Sequence, residues 1–199
     1  LASAPEPFDP MEIAFHALGQ TWLNDTGHLH PDWDLVHTYA LSPALRAMSH
    51  VWRVSEDAAH IVSTKGAPEA VMSLCHLAPE LQAQWGEVVH AMASDGLRVL
   101  AVAQGRFVGD AWPSTAHDFE FEWLGLIGLN DPLRAEIPQA ITDCHSASIQ
   151  VIMITGDYPQ TARVIANQAG LHEGGTLTGD VIDAMADDAL SAIEKAIGG

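Results

Sequence analysis

Ala59-His-Ile-Val-Ser-Thr64-Lys65-Gly66-Ala67-Pro68-Glu69 passes from a β-branched run to a lysine, a glycine and a proline suited to open a helix. The alternation through Thr64 predicts a strand, and Pro68 fits the first helical position because its missing N–H costs nothing there. Two similar runs precede it, Leu35-Val-His-Thr-Tyr-Ala-Leu41 and Met48-Ser-His-Val-Trp-Arg-Val54. Glu56-Asp57 is the expected hairpin turn between the second and third runs. After Pro68 the pattern becomes helical to about residue 76. A second helix is expected from Pro79 to Asp95, with Gly96 ending it. Leu97–Phe107 and Phe119–Leu129 read as two further strands.

Upstream, Asp9-Pro10-Met11-Glu12 carries a helix start. Asp9 is the N-cap, Pro10 the first turn, and Glu12 at N3 closes a capping-box-like arrangement. Met11, Phe15, Leu18 and Trp22 recur at helical spacing and predict a buried stripe to about residue 23. Asn24–Pro31 reads as a loop.

The pattern changes at Asn130. A helix over 136–147, a wholly apolar strand at 149–154 (IQVIMI), a helix over 159–169 and another from about 187 follow. A short apolar strand leading by a turn into a helix is the mark of a buried parallel sheet. Residues 1–129 are therefore read as an α+β domain, an antiparallel sheet with flanking helices. Residues 130–199 are read as an incomplete α/β unit.

Composition narrows the function. The 199 residues carry 26 acidic against 8 basic side chains, a net charge of −18. Such a surface repels phosphate backbones and anionic lipids, so nucleic acid is not an expected partner. Apolar residues make up 48% of the chain, too many for an acidic disordered tail. No apolar run reaches the roughly 18 residues of a membrane span, and no basic segment followed by an apolar one suggests a signal peptide. Cys75 and Cys144 are lone thiols, which fits a reducing compartment. The eleven histidines, His28 and His30 closest together, read as scattered and solvated; no metal site is expected.

Three short segments carry chemistry. In Met153-Ile-Thr155-Gly156-Asp157-Tyr158-Pro159-Gln160-Thr161-Ala162, a hydroxyl, a glycine and a helix start follow an apolar run, where open sheets bind ligands and helix N-termini favour phosphate. An ordinary strand-turn-helix with Asp157 as cap fits the same residues. Lys65-Gly66 places a cation at a strand end and a glycine that permits close backbone approach. Asn130-Asp131-Pro132-Leu133-Arg134 is a stiff turn with a carboxylate and a guanidinium, readable also as a hinge with a surface ion pair.

Taken in order, KGAPE at 65–69, GLRVLAVA at 96–103, DPLR at 131–134 and MITGD-x-x-x-TA at 153–162 resemble the P-type cation-transporting ATPases over nearly the whole chain. Thr176-Leu-Thr-Gly179-Asp180 resembles the stretch that follows in that family. The resemblance implies a nucleotide-binding domain at 1–129 and part of a phosphorylation domain at 130–199, the latter of the haloacid dehalogenase type. It also implies roles for single residues. Glu12, in DPxE, approaches adenine, and Lys65 with Gly66 lines the adenosine pocket. Arg98 reaches the phosphates, Asp131 and Arg134 stand at the hinge, and Thr155, Gly156 and Asp157 face the transferred phosphoryl group.

Departures accompany the match. Leu41 falls where many relatives stack an aromatic residue on adenine, Tyr39 is the nearest substitute, and Arg46 keeps the neighbouring basic position. Tyr158 follows TGD in place of His or Asn. The phosphorylated DKTGT sequence and the magnesium-binding GDGxNDxP segment are absent from these residues. The resemblance thus implies a piece of a pump on the cytoplasmic side of a membrane. It would use ATP and Mg²⁺ in the intact protein, joined to an actuator domain and membrane helices, and be inactive as a fragment. An unpaired sheet edge in 130–199 would favour homodimerisation. The rival is an interaction or regulatory module that keeps the fold without nucleotide. A free-standing dehalogenase-type phosphatase lacks its DxDxT nucleophile here.

Overall fold

The computed structural model describes residues 1–54, 59–109, 111–171 and 175–185. The chain divides into two compact units, Leu1–Val89 with Val99–Leu129, and His90–Arg98 with Asn130–Gly199.

The first unit is built on a five-stranded sheet in sequential order: β1 (Asp34–Tyr39), β2 (Ala47–Arg53), β3 (Ala59–Gly66), β4 (Arg98–Val108) and β5 (Phe121–Leu129). The first four pair antiparallel, with Tyr39 opposite Ser49, Ala47 opposite Gly66, and Gly66 opposite Ala101; β1 carries an irregularity between Leu35 and His37. The expected α+β fold is the one observed for this unit, with strand ends shifted by one or two residues. The predicted Glu56-Asp57 turn lies outside the described residues.

Because side chains alternate across a strand, the ladder sorts residues onto two faces. One face carries the core, Ala47, Val51, Val62, Ala101, Ala103 and Phe121. It is covered by Val71 and Leu74 of α2 (Pro68–Leu74) and by Ala116 and Phe119 of a short 3₁₀ turn. Each fully buried Val or Leu contributes roughly 1.5–3 kcal/mol. The other face presents Met48 opposite Lys65, and two residues on, His50 and Trp52.

That second face receives α1 (Pro10–Leu23). Asp9 caps it as expected, its carboxylate accepting from the Met11 N–H at 2.8 Å. The capping box does not form: Glu12 turns inward to Lys65 and is the buried residue of the helix. The predicted buried stripe is also corrected. Leu18 and Trp22 are 55% and 72% exposed, since no further layer covers that side of α1 among the described residues. Two histidines read as solvated, His50 and His60, are buried in β2 and β3.

α3 (Pro79–Ser94) ends where Gly96 was expected to stop it. Gly96 sits at φ +80°, its N–H donates to the Ala93 carbonyl, and the Leu97 N–H donates to that of Met92. In the second unit α4 (Ile137–Ser146) and α5 (Pro159–Ala169) match the expected helices, and a short α6 (Gly179–Asp183) was not foreseen. The helix expected from 187 lies outside the described residues.

The predicted strand at 149–154 is not formed, and among the described residues the second unit has no sheet. A strand exists only as one side of a hydrogen-bonded ladder, and no neighbour is present to complete one. Ile149, Ile152 and Ile154 are accordingly exposed.

Candidate functional site

The site residues fall into two groups, one in each unit. In the first, Lys65 ends β3 on the face beneath α1, and Glu12 descends from the first turn of α1 to meet it. The Lys65 ammonium donates to the Glu12 carboxylate at 2.6 Å and to the Ser3 hydroxyl at 2.8 Å. Both charged side chains are more than nine-tenths buried. Ions so far from water are tolerated only when paired and hydrogen-bonded, which ties α1 to the sheet at this point. The Lys65 ammonium also lies 5.4 Å from the centre of the Phe15 ring.

Beside this pair opens a cavity of about 380 Å³. Phe15, Leu18 and Trp22 of α1, Val102 of β4, Ile127 of β5 and Lys65 line it. Apolar walls with few polar groups, at a size within the roughly 300–1,000 Å³ of small-molecule sites, suit a flat hydrophobic body with polar edges. His50 stands on the same sheet face; burial, and then the positive charge of Lys65, pull its pKa below the usual 6.5.

Gly66 is required by the chain itself. A Cβ there would lie 2.4 Å from the Arg46 carbonyl oxygen and 2.5 Å from the Ala47 Cα. The same carbonyl accepts from the Ala67 N–H at 2.8 Å, and the Arg46 guanidinium pairs with Glu69 in the first turn of α2. Arg46 is thus an exposed brace across the KGAPE turn. Leu41 is 66% exposed in the β1–β2 connection. Tyr39 is tied to the core side of the sheet: its ring makes T-shaped contacts with His37 and Phe119, and its hydroxyl donates to the Pro113 carbonyl at 2.7 Å.

In the second unit Arg98 and Asp157 come together at 3.5 Å. The Thr155 hydroxyl accepts from the Asp157 N–H and donates to its carboxylate, both at 3.1 Å, closing a small turn just before α5. A Cβ on Gly156 would meet nothing, so that side of the turn stays open. Tyr158, not Asp157, occupies the N-cap position, leaving the carboxylate for Arg98. Thr161, fully buried, donates to the Leu97 carbonyl at 2.8 Å and anchors α5 to the segment bearing Arg98. Asp131 and Arg134 are exposed, and among the described residues no ion pair joins them.

Sequence reading missed two partners of Lys65. Phe15 had a signal, standing one helical turn after Glu12 and so on the same face. Ser3 had none, because its place depends on where the first residues lie over the sheet.

Residues 9–136 match the family model described as P-type ATPase, cytoplasmic domain N. A sodium/potassium exporting P-type ATPase, cta3, of Schizosaccharomyces pombe is 28% identical over 94% of this chain and 20% of its own length. A calcium-transporting ATPase, PAT1, of Dictyostelium discoideum is 32% identical over 82% of this chain and 16% of its own. A calcium-transporting ATPase of Bacillus subtilis is 32% identical over 74% and 18%. The chain therefore spans about a fifth or less of the curated relatives it matches. No helix among the described residues is long and apolar enough to cross a membrane. With the family model covering the five-stranded unit and its Glu12–Lys65 pair, this chain belongs to the P-type cation-transporting ATPases and contains their cytoplasmic N domain.

Proposed function

We propose that this chain binds ATP for a cation pump that forms an aspartyl-phosphate intermediate. The buried Glu12–Lys65 pair beside an apolar cavity carries the reading. An adenine ring is flat and apolar on its faces and polar at its edges, and the cavity offers that combination. Lys65 and Glu12 would hold the base, with Gly66 and Arg46 shaping the turn that presents Lys65 and Leu41 an outer aliphatic contact. Within the second unit, Arg98 would take a phosphate group, with Thr155, Gly156 and Asp157 facing the transferred phosphoryl group in the intact pump, and Asp131 and Arg134 would serve as the hinge at the domain boundary near residue 130.

Magnesium does not fit these residues alone. Among the described residues no three His, Cys, Asp or Glu side chains converge, and Asp157 already faces Arg98. The metal and the acceptor aspartate belong, in this reading, to the DKTGT and GDGxNDxP segments of the intact pump, whose 130–199 region is of the haloacid dehalogenase type. Phosphoryl transfer needs that carboxylate nucleophile and cation, so the 199-residue chain is expected to bind nucleotide without turnover.

Calorimetry with ATP and with adenosine tests the proposal. Binding of both by the wild type, lost in Lys65→Ala that still folds, supports it. A wild type silent to both overturns it and favours the interaction-module reading. That rival has its own support in Lys65, whose ammonium is already engaged by Glu12 and Ser3.

A further inference from the structure

We infer that Phe15 is the aromatic wall on which the nucleotide base stacks, in place of the aromatic residue that Leu41 replaces; the inference rests on the nucleotide reading above. Four observations converge. Phe15 stands one helical turn from Glu12, so α1 presents a carboxylate and an aromatic ring toward the same spot. Its ring lies 5.4 Å from the Lys65 ammonium, the cation at the heart of the pair. The ring lines the 380 Å³ cavity and is half-buried, neither locked in the core nor lost to solvent. The two aromatic alternatives are less suited: Tyr39 is held on the core side by His37, Phe119 and Pro113, and Trp22, though it lines the cavity, stands two turns beyond Phe15 on α1 and is 72% exposed.

The opposite wall is aliphatic, Val102 from β4 and Ile127 from β5. A base entering between that wall and Phe15 would have one face on an aromatic ring and the other on methyl groups, with Lys65, held by Glu12, at its edge. Stacking reads only the π face. Phe15 therefore sets affinity for the base as a body, and its loss weakens adenosine and ATP by the same factor. A residue acting on the phosphates would weaken ATP alone.

The experiment compares wild type, Phe15→Leu and Phe15→Trp by calorimetry with adenosine and with ATP, checking each fold by thermal unfolding. On ring-labelled phenylalanine protein, NOE cross-peaks from the adenine H2 and H8 protons are sought. Phe15→Leu should weaken both ligands roughly tenfold. Phe15→Trp should stay within about threefold of wild type, since it keeps an aromatic face. A base-to-phenylalanine cross-peak should appear in the wild type. Equal affinity of Phe15→Leu and wild type overturns the inference while leaving nucleotide binding intact. So do equal losses in the leucine and tryptophan variants, or an absent cross-peak. A wild type silent to both ligands overturns the nucleotide reading and this inference with it. Should Phe15→Leu fail to fold, the cross-peak and the tryptophan variant decide.

Discussion

Two of the ion pairs among the candidate site residues, one in each unit, differ more in their surroundings than in their chemistry. Glu12–Lys65 joins carboxylate to ammonium at 2.6 Å with both partners buried between α1 and the sheet. Arg98–Asp157 joins carboxylate to guanidinium at 3.5 Å, with the arginine side chain 56% exposed. In the first unit the five-stranded sheet and α1 give Glu12 and Lys65 walls to lie against. In the second, a turn and the first residue of β4 carry the pair, and among the described residues no ladder stands beside the apolar run 149–154. A buried pair is part of the architecture, because separating it strands a charge away from water. An exposed pair is free to exchange partners, because water and salt screen what it loses. The first pair is therefore suited to shape a pocket and the second to release Arg98 to an arriving anion.

The sharpest way to break that contrast is to remove half of each pair. Lys65→Ala should cost about 3–5 kcal/mol of unfolding free energy, read from the urea midpoint. Joint replacement, Glu12→Leu with Lys65→Met, should recover more than half of it, because no lone charge is then left buried. If the single variant unfolds like wild type, the pair is not structural. Gly66→Ala comes next. The new methyl would press on backbone atoms of Arg46 and Ala47, which have no rotamer to escape into, and should cost about 1–3 kcal/mol. An unchanged melting temperature would show that β2 and β3 can separate at this end.

Arg98→Ala should leave stability within about 0.5 kcal/mol of wild type. It should weaken ATP about tenfold by removing a charge-assisted contact to phosphate, while adenosine binding holds. Equal weakening of both ligands would mean that Arg98 does not act on the phosphates. The smallest effect concerns acid. The folded His50 resists protonation through burial and then Lys65, whereas the unfolded chain takes up its proton near 6.5. The unfolded state then binds more protons, so this contribution is present above about pH 6.5 and is lost as pH falls toward the lower folded value. Melting curves between pH 7.5 and 5 should slope downward toward acid, and less so in His50→Gln.

Local signals carried much of the fold. Asp9 and Pro10 announce α1, Pro68 opens α2, Gly96 stops α3, and the β-branched runs mark β1 to β3, because caps, prolines and side-chain alternation act within a few residues. The reading failed where distant chain segments decide. IQVIMI is apolar enough for a buried strand, but a strand needs a partner and none stands beside it among the described residues. Leu18 and Trp22 have core spacing, yet spacing cannot say whether anything covers that side of the helix.

The site divides along the same line. Its chemical inventory, Glu12, Lys65, Arg98, Thr155 and Asp157, is legible in residue types at turns and strand ends, and their order along the chain is enough to suggest the family. Which of them meet is a matter of packing. Only the laying of α1 across the sheet converts a capping-box glutamate into the buried partner of Lys65. The same contact brings Phe15 to that lysine, while the pairing of β2 with β3 makes Gly66 the point where those two strands touch. Sequence specifies what each residue can do locally, through propensity and charge. Burial, which sets the strength of a charge and the partner it takes, exists only once distant segments have closed over it.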